Sequence, residues 1–226
     1  INDLGYLIGP IINSGGRLGK SNFATELLSA NDNKTIKRRT LDLISLNNKR
    51  KKIETTILNS IDFNQIENDN EDVIIYYKPN LNEGLIGIIA SRLKDHFNKP
   101  SIVITRSNNL LKGSARSVFN YNIGRTIKNL LDKNIILNGG GHMMAAGFTL
   151  EMKNISKLKN YVINDFLKNN NKNNFTLKYD AEISTLAFNK DLFKEIKKIE
   201  PFGIGNPLPI FLFKEFFIFE YSTTTY

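Results

Sequence analysis

The sequence predicts an α/β fold: a mixed-sheet domain with a long connecting helix before it and an incomplete β segment after it. Three observations predict this. Short β-branched runs alternate with helical patterns between residues 73 and 167, as expected for a sheet packed with helices. Ahead of them, residues 33–61 hold one sustained three-to-four spacing of apolar residues, long enough for a single helix. Behind them, a run of asparagine and lysine at residues 169–174 gives way to a strongly β-forming stretch at residues 208–219.

Taken in order, residues 1–20 read as a glycine-punctuated loop, with Gly9, Pro10, Gly15, Gly16 and Gly19 as breakers. Ser21 is placed to cap a short helix carrying Phe23, Leu27 and Leu28. Asp32 or Asn33 then caps the long helix. Its apolar positions Ile36, Leu43, Ile44, Ile53, Ile57 and Ile61 define one packed side, and a basic run from Lys37 through Lys52 lines much of the remainder. Such a run is ordinarily a solvated face. Residues 62–72, acidic and rich in asparagine, read as a loop. Strands are expected at residues 73–77, 101–105, 112–118 and 147–150, and helices at 84–97, 121–131 and 155–167. Past the linker candidate come a strand at 177–183, a helix at 191–199, a proline and glycine turn at 201–207, and the final β stretch.

At 226 residues the chain is long enough to bury a real core. Its net charge of +9 favours a polyanionic partner over an acidic one, although lysine-rich surface alone would give the same number. The absence of cysteine excludes disulfides, thiolate metal sites and cysteine nucleophiles. No apolar run approaches the roughly 20 residues of a membrane span, and no secretory leader is visible, so a cytoplasmic location and no membrane partner are expected. The chain opens on Ile1 and its last residues, 221–226, stop in what reads as mid-strand, so it reads as a piece of a longer protein.

Three segments carry chemistry. Asn138-Gly139-Gly140-Gly141-His142 reads as a loop whose glycines leave a backbone free of side chains, against whose N–H groups an anion can lie. His142 adds a titratable donor at the rim; a plain glycine turn is the alternative. In Lys112-Gly113-Ser114-Ala115-Arg116-Ser117, Ser114 and Arg116 emerge on one face of a strand, and a guanidinium there grips phosphate oxygens with two hydrogen bonds. An exposed strand edge is the alternative. Gly84 and Gly87 open the helix of residues 84–97 and let its N-terminus approach a phosphate, unless they only serve helix packing. Several look-alikes fail. A GxGxxG fingerprint would need glycine where Met144 stands, and a Walker loop ending in Gly19-Lys20-Ser21 would need glycine at Ser14. Asp95-His96-Phe97 is a lone histidine in an amphipathic helix, and no second histidine follows it.

These residues also carry a resemblance. Gly140-Gly141-His142-Met143-Met144-Ala145-Ala146-Gly147 resembles the GGHxxAAG signature of the DHH-associated domain, the second half of DHH-superfamily phosphoesterases. Residues 10–18 resemble the PRINAGGRL motif closing the DHH domain. Asn13, Gly15, Gly16 and Arg17 match it, and Ile11 stands in the place of an arginine. Leu46-Asn47-Asn48-Lys49-Arg50 resembles the connector helix, and residues 201–211 resemble the PFGxGNPxPxF pattern of an OB-fold region. In this collinear order the motifs resemble the C-terminal part of the RecJ-type exonucleases, which degrade single-stranded DNA from 5′ to 3′.

The resemblance implies a domain plan: the end of a DHH domain at 1–20, connector helices at 21–62, a DHH-associated substrate-binding domain at 63–168, a linker at 169–176 and a partial OB-fold domain at 177–226. It implies Arg116 and His142 as catalytic-site residues, with Ser114, Ser117, Gly139, Gly140, Gly141, Arg17 and Asn13 binding phosphate or strand. It implies Mn2+ or Mg2+ in the longer protein, held by aspartates and an Asp-His-His segment in a missing N-terminal half, with none bound by these residues. It further implies single-stranded DNA as partner, a monomer, a role in DNA repair and recombination, and stacking faces among Phe213, Phe216, Phe217 and Phe219. Two readings stay open beside it: a smaller DHH phosphoesterase acting on short oligonucleotides or cyclic dinucleotides, and a module that binds single strands without cutting them.

Overall fold

Asp32 accepts a hydrogen bond from the Thr35 N–H at 2.7 Å, and from that cap a 27-residue helix runs unbroken, Asn33–Asn59. In this computed structural model, which describes residues 3–169, 178–203 and 205–214, the helix is α3. It follows α1 (Gly9–Arg17) and α2 (Asn22–Ser29), and a shorter helix, α4 (Phe63–Asn68), comes after it. The chain divides into two compact units, Asn2–Asn171 and Lys172–Tyr226.

Two stretches expected as loops are helical. Residues 9–17 form α1, preceded by a π-helical turn over Asp3–Ile8. Pro10 sits in the first turn, where its missing N–H costs nothing. Ser14 donates to the Leu43 carbonyl of α3 at 3.1 Å. A side chain at Gly15 would lie 2.6 Å from the Lys20 carbonyl oxygen and 3.2 Å from Leu43 Cδ2. Gly15 serves close packing, whereas Gly19, at φ +76°, makes the turn that follows α1. Within 62–72, Asp62 caps α4 by accepting from the Gln65 N–H at 3.0 Å. Phe63 then packs edge-on against His96 at 4.8 Å and stacks with Phe97 at 5.7 Å. Ser21 holds the N-cap position of α2 but makes no capping bond.

Along α3, Leu43 and Ile57 are buried, whereas Ile36 and Ile44 remain exposed. The buried charge is Glu54. It accepts from Arg50 at 2.6 Å and from Arg92 at 2.9 Å, and Arg50 also reaches Asn47 at 3.1 Å. Glu54→Ala would leave Arg50, only 11% exposed in its side chain, without its counter-charge. Removing one partner of a buried pair costs about 3 kcal/mol, so denaturant unfolding should show a loss of that size. A loss below about 0.5 kcal/mol would mean water already compensates Arg50.

The sheet comprises β1 (Ile74–Tyr77), β2 (Ser101–Ser107), β3 (Leu110–Arg116), β4 (Asn138–His142) and β5 (Ala145–Leu150), in spatial order β1-β2-β3-β5-β4. β1 and β2 are parallel and are joined by α5 (Ile86–Phe97); the other pairs are antiparallel. The sheet is therefore mixed, as the sequence predicts. The Gly139–Gly141 run is a correction: it is an edge strand, not a loop, and the turn falls at Met143 and Met144.

Two-residue periodicity sorts the strands between two layers. Ile102, Ile104, Leu111, Ala115, Ala146, Phe148 and Leu150 face α6 (Ile123–Asp132) and α7 (Ile155–Asn169) in one apolar cluster. Ile74 and Val103 face α5 in a second cluster with Ile86, Ile89, Ala90 and Leu93. α5 covers β2 and β3. Beyond it, the α5-side positions of β5 and β4 are exposed or only partly covered. The β5–β4 end of that sheet face is open.

In the second unit, β6 (Ala181–Glu182) and β7 (Phe211–Leu212) pair in parallel, with α8 (Lys190–Lys198) between them in sequence. The expected strands at 177–183 and 208–219 are seen only as these two-residue segments. Residue 177, residues 215–226 with Phe216, Phe217 and Phe219, and all of the linker except Asn169 lie outside the described residues. Among the described residues, no helix is long and apolar enough to cross a membrane.

Candidate functional site

On β3, Leu111, Gly113 and Ala115 point into the α6–α7 layer, so Lys112, Ser114 and Arg116 project on the other face. Register carries that face across two more strands. Arg116 pairs with Ala145 and Ala145 with His142; Ser114 pairs with Gly147 and Gly147 with Gly140; Lys112 pairs with Thr149 and Thr149 with Asn138. Three parallel rows result. The middle one, after Ser114, is bare backbone, flanked by rows that end in His142 and Asn138.

The glycines of this motif divide by role. A side chain at Gly139 would lie 2.9 Å from both Ile127 Cγ2 and Ile136 Cδ1, and one at Gly141 would collide with the Ala145 carbonyl. Both are packing glycines on the α6 side. A side chain at Gly140 would meet nothing within 4 Å, and one at Gly147 only the Gly113 carbonyl oxygen at 3.8 Å. The protein's own packing does not require glycine there, so the trough is open space.

Beside the trough lies a cleft of about 400 Å3, walled by the start of α5 and floored by β3 and β5. Arg17, Lys112, Ser114, Arg116, Asn138 and Thr149 line it together with Glu83, Gly84, Gly87 and Gly147. Gly87 makes room for the clamp: a Cβ there would stand 2.9 Å from Arg116 Nη2 and 3.1 Å from Ser114 Oγ. Arg17, at the end of α1, donates to the Gly84 carbonyl at 3.1 Å, and a side chain at Gly84 would collide with the Arg17 backbone.

Arg116 is held without a carboxylate. Its Nε donates to Ser91 Oγ at 3.1 Å, and Nη1 donates to Ser114 Oγ at 3.2 Å and to the Ala115 carbonyl at 2.8 Å. Neither Arg116 nor Arg17 forms an ion pair among the described residues. Burial, and then the charge of Arg17, lower the Arg116 pKa. Two half-buried guanidiniums that repel each other are relieved by a bound anion.

The structure brings Arg17, Ser114 and Arg116 together and separates the other expected residues. His142 is exposed and does not line the cleft, but it ends Arg116's row roughly 10 Å away, two strand spacings. Its Nδ1 accepts from the Met144 N–H at 3.3 Å, which leaves Nε2 as the nitrogen available to donate. Gly140 adjoins the cleft through Gly147. Gly139 and Gly141 face the α6 layer. Ser117 is buried, its hydroxyl donating to the Tyr121 carbonyl at 2.6 Å, and Asn13 is exposed on α1 outside the cleft lining. Lys112, Asn138, Thr149 and Glu83 were not expected to line it; for the first three, the two-residue period counted from Arg116, and from Gly147 to its hairpin partner, is the signal.

Comparison with known proteins settles the family. A DHHA1 domain matches residues 70–169, and a RecJ OB domain matches residues 179–224. The single-stranded-DNA-specific exonuclease RecJ of Haemophilus influenzae is 32% identical over 93% of this chain. The chain belongs to the RecJ family. RecJ of Bacillus subtilis is 28% identical over 91% of the chain. A crystal structure of RecJ from Thermus thermophilus in complex with Mn2+ covers 93% of the chain at 25% identity and a TM-score of 0.78. The chain spans 38% of the Haemophilus RecJ, 27% of the Bacillus RecJ and 31% of the Thermus RecJ chain. RecJ structures hold Mn2+ or Mg2+. Among the described residues here, no group of three or more His, Asp or Glu is placed to hold a metal ion, so this donor set does not fit such a centre.

Proposed function

We propose that this chain is the strand-gripping part of a single-stranded-DNA exonuclease that works from 5′ to 3′ in DNA repair and recombination. The observation that carries the reading is the pairing of Arg17 and Arg116, two half-buried cations without carboxylate partners among the described residues, beside a trough of bare backbone. A phosphodiester backbone supplies the missing negative charge, and a strand lies flat only where side chains are absent.

In this reading Arg116 forks onto one phosphate, with Ser114 as a short neutral donor beside it, and Arg17 adds charge from the facing wall. His142 donates from Nε2 to a neighbouring phosphoryl oxygen and steadies charge there. Residues 63–168 form the substrate-binding domain and residues 177–226 part of an OB-fold domain that holds the strand farther along. Phosphodiester hydrolysis needs water activation that these residues do not supply. The divalent cations that supply it belong to the part of its relatives that this chain does not cover. The protein acts as a cytoplasmic monomer. The RecJ OB match at residues 179–224 favours this reading over a phosphoesterase of very short oligonucleotides.

Affinity of this chain for a single-stranded oligonucleotide, measured across salt concentrations, tests the proposal. Each phosphate neutralised on a single strand contributes a log–log slope of about −0.7, so the two arginines alone predict about −1.4 or steeper. A flat salt dependence would remove the strand from the cleft.

A further inference from the structure

One carboxylate lines this cationic cleft. Glu83, just before α5, forms an ion pair with Lys112 of β3 at 2.6 Å, both side chains nearly half exposed. An exposed pair of this kind adds little to stability. A carboxylate beside a phosphate site also works against the ligand. Its placement therefore calls for a reason other than folding.

Lys112, Ser114 and Arg116 share one face of β3. Lys112 and Arg116 are four residues apart, about 13 Å between Cα atoms, a separation suited to two phosphates of one strand. Lys112 is thus the cation for a second phosphate, and in the free protein that cation is occupied. We infer that Glu83 is a displaceable counter-ion: a strand phosphate entering the cleft takes Lys112 from Glu83, and Glu83 takes it back when the phosphate leaves. The inference rests on the proposed strand-binding role of the cleft.

The chemistry of both partners suits such an exchange. Lysine carries a compact charge on a flexible four-carbon stem, so its ammonium can swing between oxygens without the fixed fork of an arginine. Glu83 keeps another donor when Lys112 departs. Hydrogen bonds from Lys112 and then from Ser107 hold its carboxyl below the usual range, so it stays ionised and ready to recapture the ammonium. Because Lys112 never stands unpaired, releasing a phosphate costs less than it would in a cleft of bare cations. A strand that must advance one nucleotide at a time needs that balance. Glu83 lowers the grip in exchange for movement, while Arg116, with no carboxylate, provides the firm contact.

The test is a double-mutant cycle on this chain, reading affinity for a single-stranded oligonucleotide and its salt slope. Glu83→Gln should tighten binding about threefold, within the range of an exposed pair, and leave the slope unchanged. Lys112→Met should weaken binding and flatten the slope by about 0.7, one phosphate. In the Lys112→Met background, Glu83→Gln should tighten binding less than it does in wild type, because only repulsion is then relieved. Two results overturn the exchange: an unchanged slope in Lys112→Met, meaning that Lys112 stays with Glu83, or equal tightening by Glu83→Gln with and without Lys112, meaning only diffuse repulsion. Arg116→Ala measured alongside separates the two layers. If it too binds as wild type, the cleft itself is not the strand site; if it weakens binding while Lys112→Met does not, only the exchange is lost.

Discussion

Arg116→Ala should weaken single-strand binding by this chain about 10- to 100-fold and leave its unfolding temperature within a few degrees of wild type. Hydrogen bonds to charged groups are worth about 1.5–3 kcal/mol, and each 1.4 kcal/mol is a factor of ten in affinity. The fold should tolerate the loss. Arg116 leans on the hydroxyls of Ser91 and Ser114 and on the Ala115 carbonyl, all beside an open cleft where water can replace it. No carboxylate is orphaned by its removal.

Arg116→Lys should recover part of the loss, since it keeps the charge and forfeits the fork. Burial and Arg17 lower the Arg116 pKa, but from a starting value so high that the guanidinium stays charged at neutral pH. The affinity gap between wild type and Arg116→Ala should therefore be constant from about pH 6 to 9. Wild-type affinity in Arg116→Ala, measured at low salt, would end the clamp.

The helices and strands that could be read from the residues owe it to local signals strong enough to survive folding. Asp32 caps α3 by accepting from the Thr35 N–H, and β1 and β2 announce themselves by runs such as Ile74-Ile75-Tyr76-Tyr77. The misreadings at α1 and β4 share one physical cause. Glycine marks a turn when judged locally, but it also marks any place where two backbones approach closely. Gly15 in α1 meets α3, and Gly139 in β4 meets Ile127 of α6; neither contact is visible without the partner element. For α4 the cause is different: Asp62 is a good cap, but it stands inside an acidic stretch that reads as loop.

The candidate site was legible to the extent that it obeys strand periodicity. Ser114 and Arg116 stand two apart and do share the cleft. The same count puts Lys112 with them and Ser117 against them, and the structure accordingly buries Ser117 beside Tyr121. His142 joins Arg116's row only through the hairpin register with Ala145. Arg17, 99 positions before Arg116 in the chain, reaches the cleft because α1 ends against Gly84. Nothing local to residue 17 announces that contact; only the family resemblance pointed to it.

Replacing Gly139 and Gly140 in turn should have opposite consequences, although the two are neighbours in one motif. Valine at Gly139 must fit where a Cβ already stands 2.9 Å from Ile127 and Ile136 and 3.0 Å from Phe148. Overpacking of that kind costs about 1–3 kcal/mol, and the melting temperature of a chain this size should fall by about 4–8 °C at the middle of that range. The Cβ of a valine at Gly140 meets nothing within 4 Å, and a β-branched residue suits a strand better than glycine does. Its melting temperature should hold or rise, since glycine costs a strand about 0.5–1 kcal/mol relative to alanine. Yet strand affinity should drop about tenfold or more, because the side chain stands in the trough where the proposed backbone lies. A glycine that costs the fold stability while leaving its space empty is explained by what enters that space. Gly140→Val binding oligonucleotide as tightly as wild type would show that the strand never touches the trough, and the grip would then reside in the arginine wall alone.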